Sequence, residues 1–432
     1  MHWLLIGYMF LFIDRPFEVW SWLGDLHFER MYMIVTLIAW LFSPNKKWLP
    51  NVQHWCYAAF AIAVLVCWIA SPWMEKTQPK IEDWFKIVVF YGLLVTSVHN
   101  ERGLKRMVAG FLAVMGLYIA HSLKEYLGGR HVYRMGIARM IGVDTTLGDP
   151  NSFGASIVFS LPMVAVAWKS GLGGRWGKFA LAGLTAMAAV SILLTGSRSS
   201  LLGLFVWSAT AMLMHRKRFL WLTLACLVAP MAYVALPGEL QNRFETIINP
   251  DVGPESAKVS GEGRLEGLET GFRLLGKYPL TGIGPGAWIP ATGSEVESHN
   301  LVGQLVGEMG LLGAGAFSLV LLAFAWNIGK VRAIQTERPE WKSDFAVQVA
   351  SGTAIAVGLL LFMGLFGHNL FRFTWLWYGG FLIIARHVLA QKMESEADEV
   401  EVIAMTVPYP DGEEPMDREA LPSGWTWHEA GR

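Results

Sequence analysis

Ready-made signatures of chemistry are what this chain lacks. It holds no Walker A sequence, no GxGxxG after a strand, no paired zincin histidines and no Cys/His cluster. The DxD pair of a metal-dependent nucleotide-sugar transferase is missing as well. Any reaction here is therefore expected to run without a metal, a nucleotide or another cofactor. Cysteine is scarce: Cys56, Cys67 and Cys226, all in apolar segments. Cys56 and Cys67 are eleven positions apart on one predicted helix, about 16 Å of rise and too far for a disulfide. All three read as small core residues. Charge is scarce too, at 16% of 432 residues with a formal net charge of zero, so no bulk charge points to nucleic acid.

Apolar length, in contrast, is abundant. Hydrophobic residues make up 53% of the chain, tryptophan reaches 20 residues and mean hydropathy is +0.38. Runs of about 20 apolar residues, the length that a bilayer core demands, recur almost from end to end. They predict an all-α polytopic membrane protein with about 12 transmembrane helices, at roughly 2–13, 29–43, 53–71, 84–98, 104–121, 150–168, 178–195, 199–214, 219–236, 299–328, 343–366 and 370–390. The opening MHWLLIGYMF has no basic n-region and no small-residue cleavage site, so it reads as a retained first span.

Lys and Arg set the expected orientation. One set of connections carries Lys46 and Lys47; Arg102, Lys105 and Arg106; Lys169, Arg175 and Lys178; Arg216, Lys217 and Arg218; and Lys330, Arg332, Arg338 and Lys342. The opposite short connections carry fewer: Arg15, Arg30, Lys76, Lys80, Arg198 and Arg372. The first set is expected inside, with both termini. Two long connections of the membrane domain 1–390 then fall outside, at about 122–149 and 237–298. The second precedes the tenth span. Leu265, Leu268, Phe272 and Leu275 recur in it at helical spacing, which predicts a partly helical loop. After 390 the chain turns acidic in ESEADEVE and then rich in Pro and Gly, predicting a disordered cytoplasmic tail over 391–432.

The candidate chemistry gathers at the junction of that loop with the tenth span, Gly261 to Phe317. Arg264 lies near the start of the loop's helical pattern, and His299 follows Ser298, an N-cap residue type, where the chain re-enters an apolar span. A third group, Arg198 in TGSRSS, sits between two spans with almost no loop, near the outer boundary. A guanidinium held there is costly unless it meets a cavity or an anion, and its planar fork suits phosphate. Two arginines converging on one site would match a diphosphate, with the imidazole beside them as proton acceptor. Plainer roles stay open: Arg198 snorkelling to headgroups, Arg264 pairing with Glu262 or Glu266, and His299 capping a helix. Asn300, Gln304 and Glu308 form a polar stripe that fits either a pocket or interhelical hydrogen bonds, and Gly303 and Gly307 read as close packing. Asp149 before Pro150 is a helix start, with Asn151 beside it. His368 and Arg372 mark the last outer turn. Asp149, Asn151, Asn300, Gln304, Glu308, His368 and Arg372 are thus candidate pocket-lining residues.

GDPNSFG (148–154), LLTGSRSS (193–200), GRLEGLETGFRLLGKYPLTGIGPG (263–286) and ESHNLVGQLVGEMGLLG (297–313) together resemble the O-antigen ligase and polymerase family of bacterial envelope enzymes, over roughly 145–370. The resemblance implies a multi-pass inner-membrane glycosyltransferase that takes a glycan from undecaprenyl diphosphate on the periplasmic side. Ligases pass it to lipid A-core, polymerases to another glycan chain. It implies that Arg198 and Arg264 bind the diphosphate and that His299 is the essential histidine.

Residue chemistry and resemblance lead to one expected mechanism: two arginines stabilise the departing diphosphate while His299 assists the acceptor hydroxyl, with inversion at the anomeric carbon. No metal or cofactor is expected; the partners are the lipid-linked donor, a glycolipid or glycan acceptor and membrane lipids, with no nucleic acid. Polysaccharide polymerisation is the first alternative, differing only in the acceptor. Transport of a lipid-linked glycan is the second, and the apparent lack of internal repeats and midplane charges weighs against it.

Overall fold

Backbone polar groups left bare in lipid cost several kcal/mol each, and the chain answers with helices. The structure, a computed structural model, describes residues 1–134, 137–144, 148–213, 230–231, 233–245 and 255–406. Six described helices are long and apolar enough to cross a membrane: Val52–Ile69, Glu101–Leu127, Pro150–Lys169, Gly174–Leu194, Leu301–Glu337 and Phe345–Gly364. The predicted spans at 2–13, 29–43 and 199–214 form shorter helices of 12, 14 and 16 residues, His2–Ile13, Phe28–Leu41 and Arg198–Leu213. Met74–Ser97 joins an apolar half to a charged one that holds Lys80 and Asp83. The predicted span at 219–236 lies mostly outside the described residues, and Cys226 with it.

The chain divides into Met1–Leu389 and Ala390–Arg432. The core of the first unit is aromatic at its centre. Trp377 is fully buried and packs on Phe373, Phe90 and Phe12, with ring centroids 4.5, 4.7 and 5.8 Å away. Short as it is, His2–Ile13 therefore belongs to the core, with Leu5 and Met9 wholly buried. In the second unit the expected disordered tail needs correction. The helix Phe373–Thr406 continues past residue 391 to Thr406. QKMESEADEVEVIAMT contains neither Gly nor Pro and holds four Glu, two Ala and two Met, residues of high helix propensity. The remainder of the predicted tail, 407–432, lies outside the described residues.

The connection expected at 122–149 adds a two-stranded antiparallel hairpin to the helical fold. Val132–Arg134 pairs with Ile137–Arg139 in the register Val132 to Arg139 and Arg134 to Ile137. Ile137 packs on Leu240 and Phe244 of the helix Gly238–Glu245, which ties the two long connections together.

The tenth predicted span is not one continuous helix. Leu301–Glu337 breaks at Gly310, whose φ of 59° and ψ of −156° suit a residue without Cβ. The loop before it fills the break. Ile283 N and Gly284 N donate to the carbonyls of Gly307 and Glu308, at 3.0 and 2.8 Å. In return Leu311 N and Leu312 N donate to those of Pro279 and Leu280, at 2.9 and 3.0 Å. The chain thus supplies its own partners for backbone groups that the kink would otherwise strand in the apolar interior.

Candidate functional site

Two GxxxG pairs build the site's frame. The helix Glu255–Lys277 lies on Leu301–Glu337 so closely that a Cβ on Gly271 would sit 2.3 Å from Gly303 O. One on Gly303 would sit 2.3 Å from Gly267 O, and one on Gly307 would sit 3.2 Å from the Cα of Gly271. Small residues allow this backbone-to-backbone approach. The contact extends to the candidate histidine, since a Cβ on Gly267 would lie 3.4 Å from His299 N. Arg264, one turn earlier on the same helix, is delivered to the same neighbourhood.

His299 itself does not open the helix. Asn300 is the N-cap, its side-chain oxygen accepting from Val302 N and Gly303 N at 2.9 and 3.0 Å. Ser298, the expected cap type, instead donates its hydroxyl to Asn300 O at 3.1 Å. A two-residue shift follows because the Asn carboxamide can reach two orphan amides at once. His299 is thereby a loop residue, its ring centroid 5.9 Å from that of His368.

The TGSR turn is held from two sides. Gly196 has a φ of 58°. Buried Arg139 donates from Nε to Thr195 O at 2.7 Å and from Nη2 to Asn151 Oδ1 at 2.9 Å. Buried Arg243 donates from Nε to Gly196 O at 2.7 Å. Both long connections thus grip the turn that presents Arg198. Asp149 caps Pro150–Lys169 as expected, accepting from Asn151 N and Ser152 N at 3.1 Å each.

Two cavities meet here. The smaller, about 40 Å³, is lined by Asp149, Asn151, Ser199, His299, Phe366, His368 and Arg372, among others. Ser199 is the neighbour of Arg198, and the Arg264 guanidinium lies over the Phe366 ring, 5.2 Å from its centroid. Burial first, and then the positive charge of Arg198, lower the pKa of Arg264. The larger cavity, about 440 Å³, shares Ser152, His368 and Arg372 with the smaller and adds Lys80, Asp83, Trp84, Glu297, Gln304 and Phe371. Arg372 is braced where the two meet, donating to Ser156 Oγ at 2.7 Å and Ser152 O at 3.1 Å.

Of the candidates, Asp149, Asn151, His299, His368 and Arg372 line the smaller cavity, and Gln304, His368 and Arg372 the larger. The Asn300 side chain is occupied by capping and by Leu365 O at 3.4 Å. Glu308 is fully buried beside the helix break, where one carboxylate oxygen accepts from Gly286 N at 2.8 Å.

Residues 183–318 match the family model described as Wzy_C: O-Antigen ligase. That stretch of the chain is similar to the O-antigen ligase family. The match supports membrane glycan transfer of the ligase or polymerase kind, and so an enzyme. It is narrower than the resemblance read from the motifs, but it takes in Arg198, Arg264 and His299 together. No curated protein matches the chain.

Two further residues at the site carry no signal in the sequence: Lys80, outside the matched stretch, and Glu297, inside it. Lys80 Nζ donates to Glu297 Oε1 at 2.6 Å, tying the Met74–Ser97 helix to the loop two residues before His299. Burial pulls the Lys80 ammonium down, but the carboxylates of Glu308 and Glu297 outweigh it and hold its pKa above the ordinary value. The pair is 217 positions apart, and no local pattern announces it. Arg139 and Arg243 likewise bind carbonyls 56 and 47 positions away, beyond the reach of any local pattern.

Proposed function

We propose that this chain transfers a glycan from a lipid-linked diphosphate, undecaprenyl diphosphate in a bacterial inner membrane, to a glycolipid acceptor such as lipid A-core, at the periplasmic face and without a metal. The observation that carries the reading is the packing of Glu255–Lys277 on Leu301–Glu337, which sets Arg264 beside the His299 loop at a wall shared with the Arg198 turn. In this reading Arg198 and Arg264 take the charge that grows on the diphosphate as the glycosidic oxygen departs. His299 accepts the proton of the attacking hydroxyl, and single displacement inverts the anomeric carbon.

The helix break at Gly310 resembles the discontinuous helices on which transporters build substrate sites. Here residues 279–284 bond the backbone groups flanking the break, so the break does not favour transport.

Turnover of purified donor lipid by His299→Ala tests the mechanism. A fall of about 100-fold or more is expected for loss of a general base, and near-normal turnover excludes that role. Glycan analysis of a deletion strain identifies the acceptor. Long chains left on the carrier lipid indicate a ligase, and single repeat units a polymerase.

A further inference from the structure

The hairpin that joins Pro150–Lys169 to Gly174–Leu194 carries an open groove of about 520 Å³, lined by Trp168, Gly171, Gly174, Arg175, Lys178 and Phe179, with Ala182 one turn further on. The lining is within reach of a ligand. Arg175 and Lys178 are exposed, and so are Trp168 at 46% and Phe179 at 61%. A Cβ on Gly171 or Gly174 would meet nothing within 4 Å, so no side chain covers that end of the groove. Arg175, Lys178, Phe179 and Ala182 follow at i, i+3, i+4 and i+7, on one face of the helix.

The two cations have no acid to answer them. No Asp or Glu occurs between Asp149 and Glu239. Among the described residues neither Arg175 nor Lys178 makes an ion pair. The Arg175 guanidinium lies 5.9 Å from the centroid of the Phe179 ring, which holds it at the groove. Further along the helix the same face is apolar: Phe179, Ala182, Ala186 and Val190 are all exposed. Gly174–Leu194 is apolar enough to cross a membrane, and only 28% of its apolar window is buried by the rest of the protein.

Positive charge above a strip of exposed hydrocarbon matches a phospholipid, whose phosphate sits over its acyl chains. Basic pockets between helices at the membrane edge suit anionic headgroups, and tryptophan favours the same depth. A topological role for Lys and Arg would need the charges alone, with neither groove nor aromatic walls. The diphosphate of the proposed donor is not the ligand here. The groove lies at the Lys169 end of Pro150–Lys169 and the candidate site at the Asp149 end, about 30 Å apart along a helix of 20 residues.

We propose that this groove binds the headgroup of an anionic phospholipid, with its phosphate on Arg175 and Lys178 and its acyl chains along Phe179, Ala182, Ala186 and Val190. The site goes beyond the glycan-transfer reading and does not depend on it.

Native mass spectrometry of the full chain, released from micelles that hold phosphatidylglycerol and phosphatidylethanolamine in equal amounts, tests this. Wild type is expected to retain phosphatidylglycerol roughly tenfold better. Arg175→Gln with Lys178→Gln is expected to lose that preference. Lys330→Gln with Arg332→Gln, two cations of another connection expected on the same side, is expected to keep it. Ala182→Phe fills the groove without touching a charge, and it should lower phosphatidylglycerol retention by a comparable factor. That variant decides alone if the paired Arg175 and Lys178 variant fails to fold. Equal retention of the two lipids by wild type reduces the groove to apolar contact and overturns the proposal. Equal loss in both paired variants overturns it too, because general surface charge would then explain the binding. Displacement of phosphatidylglycerol by inorganic phosphate, at an ionic strength where chloride displaces none, would reveal a free-anion site and overturn it as well.

Discussion

A methyl group on Gly271 would lie 2.3 Å from the carbonyl oxygen of Gly303. The contact is backbone against backbone, so no side chain can move aside to relieve it. Gly271→Ala is expected to destabilise the protein by about 1–3 kcal/mol, as overpacking typically does, and to push the helix that carries Arg264 away from the His299 loop. Transfer should fall further than the melting temperature accounts for. Activity that stays normal while the protein melts earlier would dismiss the packing as the device that positions Arg264.

Gly310 makes a separate prediction. Its φ of 59° and ψ of −156° lie in a region almost reserved for glycine and cost an L-residue roughly 1–3 kcal/mol, and a Cβ there would lie 2.6 Å from the backbone carbonyl of Leu280. Gly310→Ala is expected to lower the melting temperature and to loosen the 279–284 loop. Hydrogen exchange at Ile283, Gly284, Leu311 and Leu312 checks this. Protection that remains at those four amides in the variant rules out the break as the loop's anchor.

What could be read in advance divides along the range of the interactions. Helices at 53–71, 150–168 and 178–195 follow from local apolar runs, and Asp149 capping Pro150 is visible in two adjacent letters. Arg198, Arg264 and His299 stand out as polar residues at the edges of apolar segments. The break at Gly310 does not, because one glycine among 45 carries no sign of its own φ. The GxxxG pair at Gly303 and Gly307 was legible as a packing face, yet its partner face, Gly267 and Gly271, lies on a polar loop. Lys80 with Glu297, and Arg139 and Arg243 at the TGSR turn, are joined only by the tertiary fold.

The Lys80–Glu297 bridge calls for a double-mutant cycle. Lys80→Met leaves Glu297 without its ammonium partner and Glu308 without the compensating charge. Lys80→Met with Glu297→Gln removes one of the stranded charges, so the double variant is expected to be more stable than Lys80→Met alone. Measured melting temperatures decide. Strictly additive effects would mean that the pair does not couple the Met74–Ser97 helix to the loop before His299.

His368 links pH to stability. Burial above all, then the positive fields of Lys80, His299 and Arg372, carry its pKa from 6.5 down to about 4, with Glu297 pulling the other way. Above the ordinary value the imidazole is neutral in both folded and unfolded chains, and its contribution to stability is fully present. As pH falls from about 6.5 toward 4, only the unfolded chain takes the proton, so stability is lost over that window. Below about 4 both states are protonated and the loss is complete. His368→Gln should therefore show a shallower decline in melting temperature between pH 7 and pH 5 than wild type. Parallel declines would place the acid sensitivity elsewhere.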